Sequence, residues 1–189
     1  MSYLFQCYAN MYDRFLKCFH LDDDKQILEI IGNGNKKIAD IGGGTGRTAD
    51  LLIRCGHSVT IIDPSKSMTK LAIKRNGRIR IINQSMPGEL DEEYDIFLLR
   101  DCLHHVKNQK ELLYRCSERL RDKGEIIIAD FSPKSMKTKG LFLFERLCFE
   151  KIYPVEEDIL LEQLKALKLN TECIPINERD YIVRGWRQE

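Results

Sequence analysis

Neither sign of charge dominates this chain: thirty Lys and Arg face twenty-nine Asp and Glu, a formal net +1. So even a balance gives no global field toward nucleic acid or an anionic membrane. No apolar run approaches the ~20 residues that span a bilayer. The opening Met1-Ser2-Tyr3-Leu4-Phe5-Gln6 lacks the basic start and apolar stretch of a secretory signal. The cysteines (Cys7, Cys18, Cys55, Cys102, Cys116, Cys148 and Cys173) are odd in number, scattered and without a CxxC pair. That spacing argues against a disulfide framework or structural zinc, and for reduced thiols in a cytoplasmic protein. Low-complexity tracts, internal repeats and linkers are also missing. What is there, 43% hydrophobic and 31% charged residues over 189 positions, is the composition of one globular domain whose core needs no staples.

The first segment carries Phe5, Tyr8, Tyr12, Phe15 and Phe19 at steps of 3, 4, 3 and 4, an aromatic stripe along a helix. A short helix follows from Asp22, with Ile27, Leu28 and Ile31 inward, and stops at Gly32-Asn33-Gly34-Asn35. From Lys36 the pattern becomes regular. Strands at Lys37 to Ile41, Val59 to Ile62, Ile79 to Ile82, Tyr94 to Leu99 and Glu125 to Ala129 alternate with helices. Those helices run from Arg47 to Cys55, through Arg75 after a Ser65 cap, and from Val106 to Leu120. Strands apolar on both faces that alternate with helices predict a parallel sheet covered on both sides, an α/β fold. Pro154 opens a last helix, with acids first and Lys165 and Lys168 at its end. Strands near Thr171 to Ile174 and Asp180 to Arg184 are too close for a crossover, so an antiparallel hairpin is expected.

The first strand runs into Gly42-Gly43-Gly44-Thr45-Gly46 before a helix. This puts bare backbone, and the unpaired N–H groups of a helix N-terminus, where a ligand comes close. The second strand ends in Asp63, seventeen residues past Gly46, where a carboxylate can accept both hydroxyls of a ribose. A dinucleotide pattern fails from Gly42 because Arg47 stands at its last position, although a weaker one fits from Gly44 through Gly46 to Ala49. Reading the turn from Gly42 instead aims Asp40 into the crevice. A carboxylate there suits a ligand with an ammonium group and no pyrophosphate, such as S-adenosylmethionine.

At this point the residues resemble a family. Ile38-Ala39-Asp40-Ile41-Gly42-Gly43-Gly44-Thr45-Gly46 is similar to motif I of the class I S-adenosylmethionine-dependent methyltransferases. Ile61-Ile62-Asp63-Pro64-Ser65 with Met68, the segment Tyr94 to Val106, and Leu120 to Phe131 resemble its later motifs. Tyr12-Asp13 and Asp130-Phe131-Ser132-Pro133 resemble the small-molecule branch that includes the ubiquinone/menaquinone C-methyltransferases. The resemblance implies a Rossmann-like three-layer sandwich, with a seven-stranded, mostly parallel sheet ending in an antiparallel hairpin. It implies S-adenosyl-L-methionine as cofactor, with the methionine end on Asp40 and the Gly42, Gly44 and Gly46 turn, and the ribose on Asp63. Pro64 and Met68 would pack beside the adenine, Gln84, Ser85 and Met86 would border its edge, and the Arg100 backbone would face the amino group. Tyr8 and Tyr12 would close over the cofactor from the N-terminal helix. Gln84 departs from the aspartate common in the family, but still offers a carbonyl acceptor.

Methyl transfer asks a protein to align a nucleophile, exclude water and sometimes remove a proton. His104 and His105, just past the fourth strand, are the candidates for that proton. Cys102 beside them lacks further ligands at a recognisable spacing, so no metal is expected. The organisation expected is a helical cap over 1–35, a cofactor core over 36–131, an insertion over 132–154, and a C-terminal helix and hairpin over 155–189. The insertion holds Phe142, Phe144, Leu147, Phe149, Ile152 and Tyr153, and as a lid it would line a pocket for a small apolar or aromatic acceptor. Lys66, Lys70, Lys74, Arg75, Arg78 and Arg80 are six bases without an acid over fifteen residues, the one feature favouring an RNA acceptor. A methyltransferase for RNA or protein, a nicotinamide dehydrogenase and a non-catalytic cofactor-binding protein are the alternatives.

Overall fold

Short runs of branched apolar residues make the first two strands, and Gly42 and Asp63 follow them. The computed structural model describes residues 23–136, 138–140, 142 and 151–187. The aromatic stripe with Tyr8 and Tyr12, and Leu141, Phe144, Leu147 and Phe149 of the insertion, lie outside the described residues. Seven strands form a mixed sheet, mostly parallel and antiparallel at its C-terminal strands, as the alternating pattern predicts. The chain has two compact units, Met1–Ser85 and Met86–Glu189.

In the first unit, α1 (Asp23–Ile31), β1 (Lys37–Ile41), α2 (Arg47–Arg54), β2 (Ser58–Ile62), α3 (Lys66–Arg75) and β3 (Arg80–Ile82) follow in order. β2 pairs in parallel with both β1 and β3. Ile38, Ala39, Ile41, Val59, Ile61 and Ile62 are buried, as are Ala49, Leu52 and Ile53 of α2 and Met68 and Ala72 of α3. Each fully buried Ile or Leu contributes about 1.5–3 kcal/mol. The register matters for the site: Ile41 lies beside Ile62, and Ile62 beside Ile82. Gly42, Asp63 and Asn83 therefore leave the three strands from one edge.

A buried histidine that the sequence did not single out fixes the approach to β1. His57 Nδ1 accepts from the Lys36 N–H at 3.2 Å, and Nε2–H donates to the Gly32 carbonyl at 2.8 Å. These partners set the tautomer and satisfy one backbone group at each end of the segment from Gly32 to Lys36. His57→Leu leaves both groups unpaired and is expected to destabilise the protein by about 2–4 kcal/mol, measured by thermal or denaturant unfolding.

The second unit contains β4 (Tyr94–Arg100), a 3₁₀ turn (Leu103–His105), α4 (Gln109–Glu118), β5 (Leu120–Phe131), α5 (Glu157–Ala166), β6 (Leu169–Pro175) and β7 (Asp180–Arg187). β4 and β5 run parallel, whereas β7 pairs antiparallel with β5 and β6, which is the expected hairpin. Three boundaries differ most from expectation, and the last helix starts at Glu157 rather than Pro154 and ends at Ala166, before Lys168. The helix expected from Val106 starts at Gln109, because Leu103–His105 first wind a separate turn. The Gln109 amide donates to the Leu103 carbonyl at 3.1 Å. β5 begins at Leu120 rather than Glu125, because Leu120 pairs with Tyr94 before the register shift that sets Ile96 opposite Glu125. Among the described residues no helix is long and apolar enough to cross a membrane.

Candidate functional site

The glycine turn of the first unit is built by glycines with different duties. A Cβ on Gly43 would lie 2.5 Å from Asp40 Oδ2 and 2.9 Å from Ile61 Cγ1. Asp40, only 1% exposed near the end of β1, thus lies against the Gly43 backbone. Gly44 has φ +52°, and the nearest atom to its absent Cβ is the Gly42 carbonyl oxygen at 3.8 Å; this face of the turn admits a ligand against the main chain. Gly46 lies against α3, its absent Cβ 2.7 Å from Ala72 Cβ. Gly43 is a residue that sequence reasoning passed over, and the unbroken run of three glycines was the available signal. Gly43→Ala is expected to destabilise the fold by about 1–3 kcal/mol through this clash. Gly44→Ala, strained only at φ, is expected to cost about 1–2 kcal/mol; thermal unfolding of both variants tests the order.

Asp63 joins the turn to α3. Its Oδ2 accepts the Gly44 N–H at 3.1 Å and its Oδ1 the Ser65 N–H at 2.7 Å. Ser65 then caps α3 by accepting the Met68 N–H at 3.4 Å. Burial pushes the Asp63 carboxyl above its ordinary value, against the pull of the Ser65 and Gly44 N–H groups. A carboxylate has about four acceptor positions, so two donors leave room for two more. Arg75, one of the six bases, donates from Nε to the Thr45 carbonyl at 3.0 Å. Asn83 spans from the Asp63 carbonyl at 3.0 Å to Thr69 Oγ1 at 2.9 Å. Met68 is buried, Pro64 and Ser85 are exposed, and Gln84 is half-buried. Tyr12 lies outside the described residues.

Met86, Arg100, His104 and His105 belong to the second unit. There the end of β5 meets the 3₁₀ turn. His104 Nδ1 lies 2.6 Å from Asp130 Oδ1, and the His104 N–H donates to Asp130 Oδ2 at 3.2 Å. The Phe131 N–H also donates to Oδ1, at 2.9 Å. A nitrogen facing a carboxylate carries the proton, so Nε2 is the basic nitrogen of the neutral ring. The pair is buried, His104 being 2% exposed. The His104 ring stands 5.6 Å from Phe131 and 5.5 Å from Phe142, centroid to centroid, with the half-buried His105 ring at 4.2 Å. Phe131, Phe142 and Ile152 form one buried apolar cluster. The Tyr153 N–H donates to the His104 carbonyl at 2.6 Å, tying the end of the insertion to this turn. Tyr181 pairs with Asp130 across β7; burial, and then the Asp130 charge, holds its phenol well above the ordinary range. Asp130 is the functional candidate the sequence reading left in a motif without a role. Among the described residues no His, Cys, Asp and Glu group has a metal-holding arrangement.

A clasped glycine turn at the carboxyl edge of parallel strands is where open α/β folds receive nucleotide-like ligands, and a buried acid–imidazole pair is a common acid–base device. Residues 12–187 match the family described as a methyltransferase domain, and the chain belongs to that family. The chain is 30% identical over 105 residues to the mitochondrial ubiquinone biosynthesis O-methyltransferase of Schizosaccharomyces pombe, covering 51% of this chain and 38% of that protein. It is 28% identical over 184 residues to the demethylmenaquinone methyltransferase of Tropheryma whipplei, covering 90% of this chain and 74% of that one. Magnesium protoporphyrin IX methyltransferase from Synechocystis, solved with bound SAH, shares the fold at a TM-score of 0.75, with 16% identity over 98% of each chain. Membership of the family sets aside the dehydrogenase reading.

Proposed function

We propose that this methyltransferase uses S-adenosyl-L-methionine to methylate a small, apolar or aromatic acceptor. The observation that carries the cofactor is the Asp63 carboxylate, bound to the Gly44 and Ser65 N–H groups and able to accept two further hydroxyls. The fit is chemical as well as steric: Gly44 leaves its backbone open to a ligand, and Asp40 supplies a negative charge near the strand end for an ammonium group. The bound cofactor supplies a methyl group on a positively charged sulfur. Asp40 and the Gly42 and Gly44 backbone hold the amino-acid end, and Asp63 orients the ribose. Met68, Pro64, Gln84 and Ser85 border the adenine.

The acceptor class rests on the apolar wall around His104. Phe131, Phe142 and Ile152 are buried together and offer an aromatic or aliphatic molecule no polar partner except the imidazole. His104 Nε2 removes the proton from the acceptor, and Asp130 stabilises the imidazolium that forms. Titration of the protein with S-adenosylhomocysteine and, separately, with a nicotinamide dinucleotide tests the cofactor, and binding of the first alone is expected. A demethylated quinol supplied with S-adenosylmethionine is expected to yield S-adenosylhomocysteine, whereas an RNA or a histone-like peptide is not. No heat with S-adenosylhomocysteine overturns the cofactor assignment; turnover of the macromolecules alone overturns the acceptor class.

A further inference from the structure

We propose that the exposed basic face of α3 and β3 docks this enzyme on an anionic phospholipid surface. The six bases between Lys66 and Arg80 divide in the fold. Arg75 is committed to the Thr45 carbonyl, whereas Lys66, Lys70, Lys74, Arg78 and Arg80 are all exposed. Lys66, Lys70 and Lys74 follow one another at successive turns of α3, whose opposite face buries Met68, Thr69 and Ala72. Among the described residues, Lys66, Lys70, Lys74 and Arg78 make no ion pair, and no acid occurs from Pro64 to Gly88. Like charges four residues apart on a helix weaken it slightly, so this row does nothing for the fold that neutral side chains would not do better.

The chemistry of the face separates lipid from nucleic acid. Ile73 flanks the lysine row on α3, one turn after Lys70, and is 50% exposed. An exposed apolar side chain beside a row of lysines fits the boundary between headgroups and acyl chains. Against a phosphate backbone it would remain wet. Single-stranded RNA is held by base stacking on aromatic rings, and residues 64–88 contain none. The face begins at Lys66, directly after Ser65, whose N–H is bound by Asp63. Docking therefore brings the cofactor turn close to the bilayer. The inference rests on the proposed apolar acceptor, because such a molecule partitions into lipid and is most concentrated there. With a net charge of only +1, attachment is local, reversible and screened by salt.

Co-sedimentation with phosphatidylcholine vesicles, with and without about a third phosphatidylglycerol, reads the docking directly. Binding is expected only to the anionic vesicles and is expected to disappear at high salt. Each lysine near an anionic surface is worth roughly fivefold in affinity, so the triple change Lys66→Gln, Lys70→Gln, Lys74→Gln is expected to weaken binding on the order of a hundredfold. Ile73→Ser is expected to weaken it several-fold at fixed charge. Thermal unfolding and S-adenosylhomocysteine titration of each variant, both expected unchanged, separate docking from folding and from cofactor binding. Failure of the wild type to sediment with anionic vesicles overturns the proposal, as does sedimentation of the triple variant like wild type. Lysine-dependent binding to a single-stranded RNA without vesicle binding also overturns it and favours the RNA acceptor. Vesicle binding with no S-adenosylhomocysteine heat leaves the docking face standing and removes only the cofactor assignment.

Discussion

Asp130→Asn is expected to lower turnover by on the order of 10²- to 10⁴-fold while leaving S-adenosylhomocysteine affinity unchanged. The wild-type carboxylate accepts from the His104 N–H, from His104 Nδ1 and from the Phe131 N–H. Asparagine offers one oxygen where two are in use. With its oxygen in the Oδ1 position, the amide group confronts the His104 N–H. In the flipped orientation the amide faces the Phe131 N–H and donates to Nδ1, which moves the ring proton to Nε2 and removes the base. Either arrangement strands a buried N–H group, for about 1–3 kcal/mol of stability. The readouts are single-turnover formation of S-adenosylhomocysteine with a demethylated quinol, and the tautomer of His104 by nitrogen NMR. An unchanged rate in a folded variant removes the imidazole from the chemistry.

Asp63→Asn is expected to weaken S-adenosylhomocysteine binding by roughly a hundredfold, the loss of two hydrogen bonds to a charged acceptor at about 1.5 kcal/mol each. The amide also faces the Gly44 or Ser65 N–H with a donor where both oxygens now accept. Asp63 further gives two pH dependences of opposite sign. Its carboxyl titrates above its ordinary value because burial disfavours the charge, so the native state holds this proton to higher pH than the unfolded chain does. Stability contributed by this group is thus fully present below the unfolded pKa and is lost as pH rises through the folded one. With Asp63 in the proposed ribose role, cofactor affinity is expected to need the charged form and to fall as pH falls through that same folded value, starting at a higher pH than an exposed aspartate would set. Calorimetric titration across acidic pH, with Asp63→Asn as the flat control, tests the second trend; thermal unfolding of the same pair tests the first.

Much of this was legible in the chain because each signal was local. The glycine run, Asp63 at a strand end and the Ser65 cap of a helix ending at Arg75 lie within a few residues of the elements they shape, and α3 spans Lys66–Arg75 as expected. The β6–β7 hairpin followed from a gap too short for any other connection. Interactions across long separations were not legible. His57 acts on Gly32, twenty-five residues away, and His104 meets Asp130 across twenty-six. Nothing in either neighbourhood marks the partner. The α4 start differs for a related reason. Val106 is apolar and close to Leu112, but the polar run Lys107 to Glu111 holds no apolar position to mark the start. The Gln109 amide reaches back to the Leu103 carbonyl and across to the Tyr153 carbonyl. Gly43 was passed over because the motif leaves that position open, while the steric demand comes from the folded Asp40 carboxylate.

The His57 bridge sets a boundary for anyone shortening this protein. A fragment starting at Lys36 would keep the imidazole but discard the Gly32 carbonyl that receives its proton, together with Asp24, the ion-pair partner of Arg47 on the first turn of α2. The smallest piece worth expressing therefore begins upstream of α1, even though the glycine turn and Asp63 both lie downstream of it.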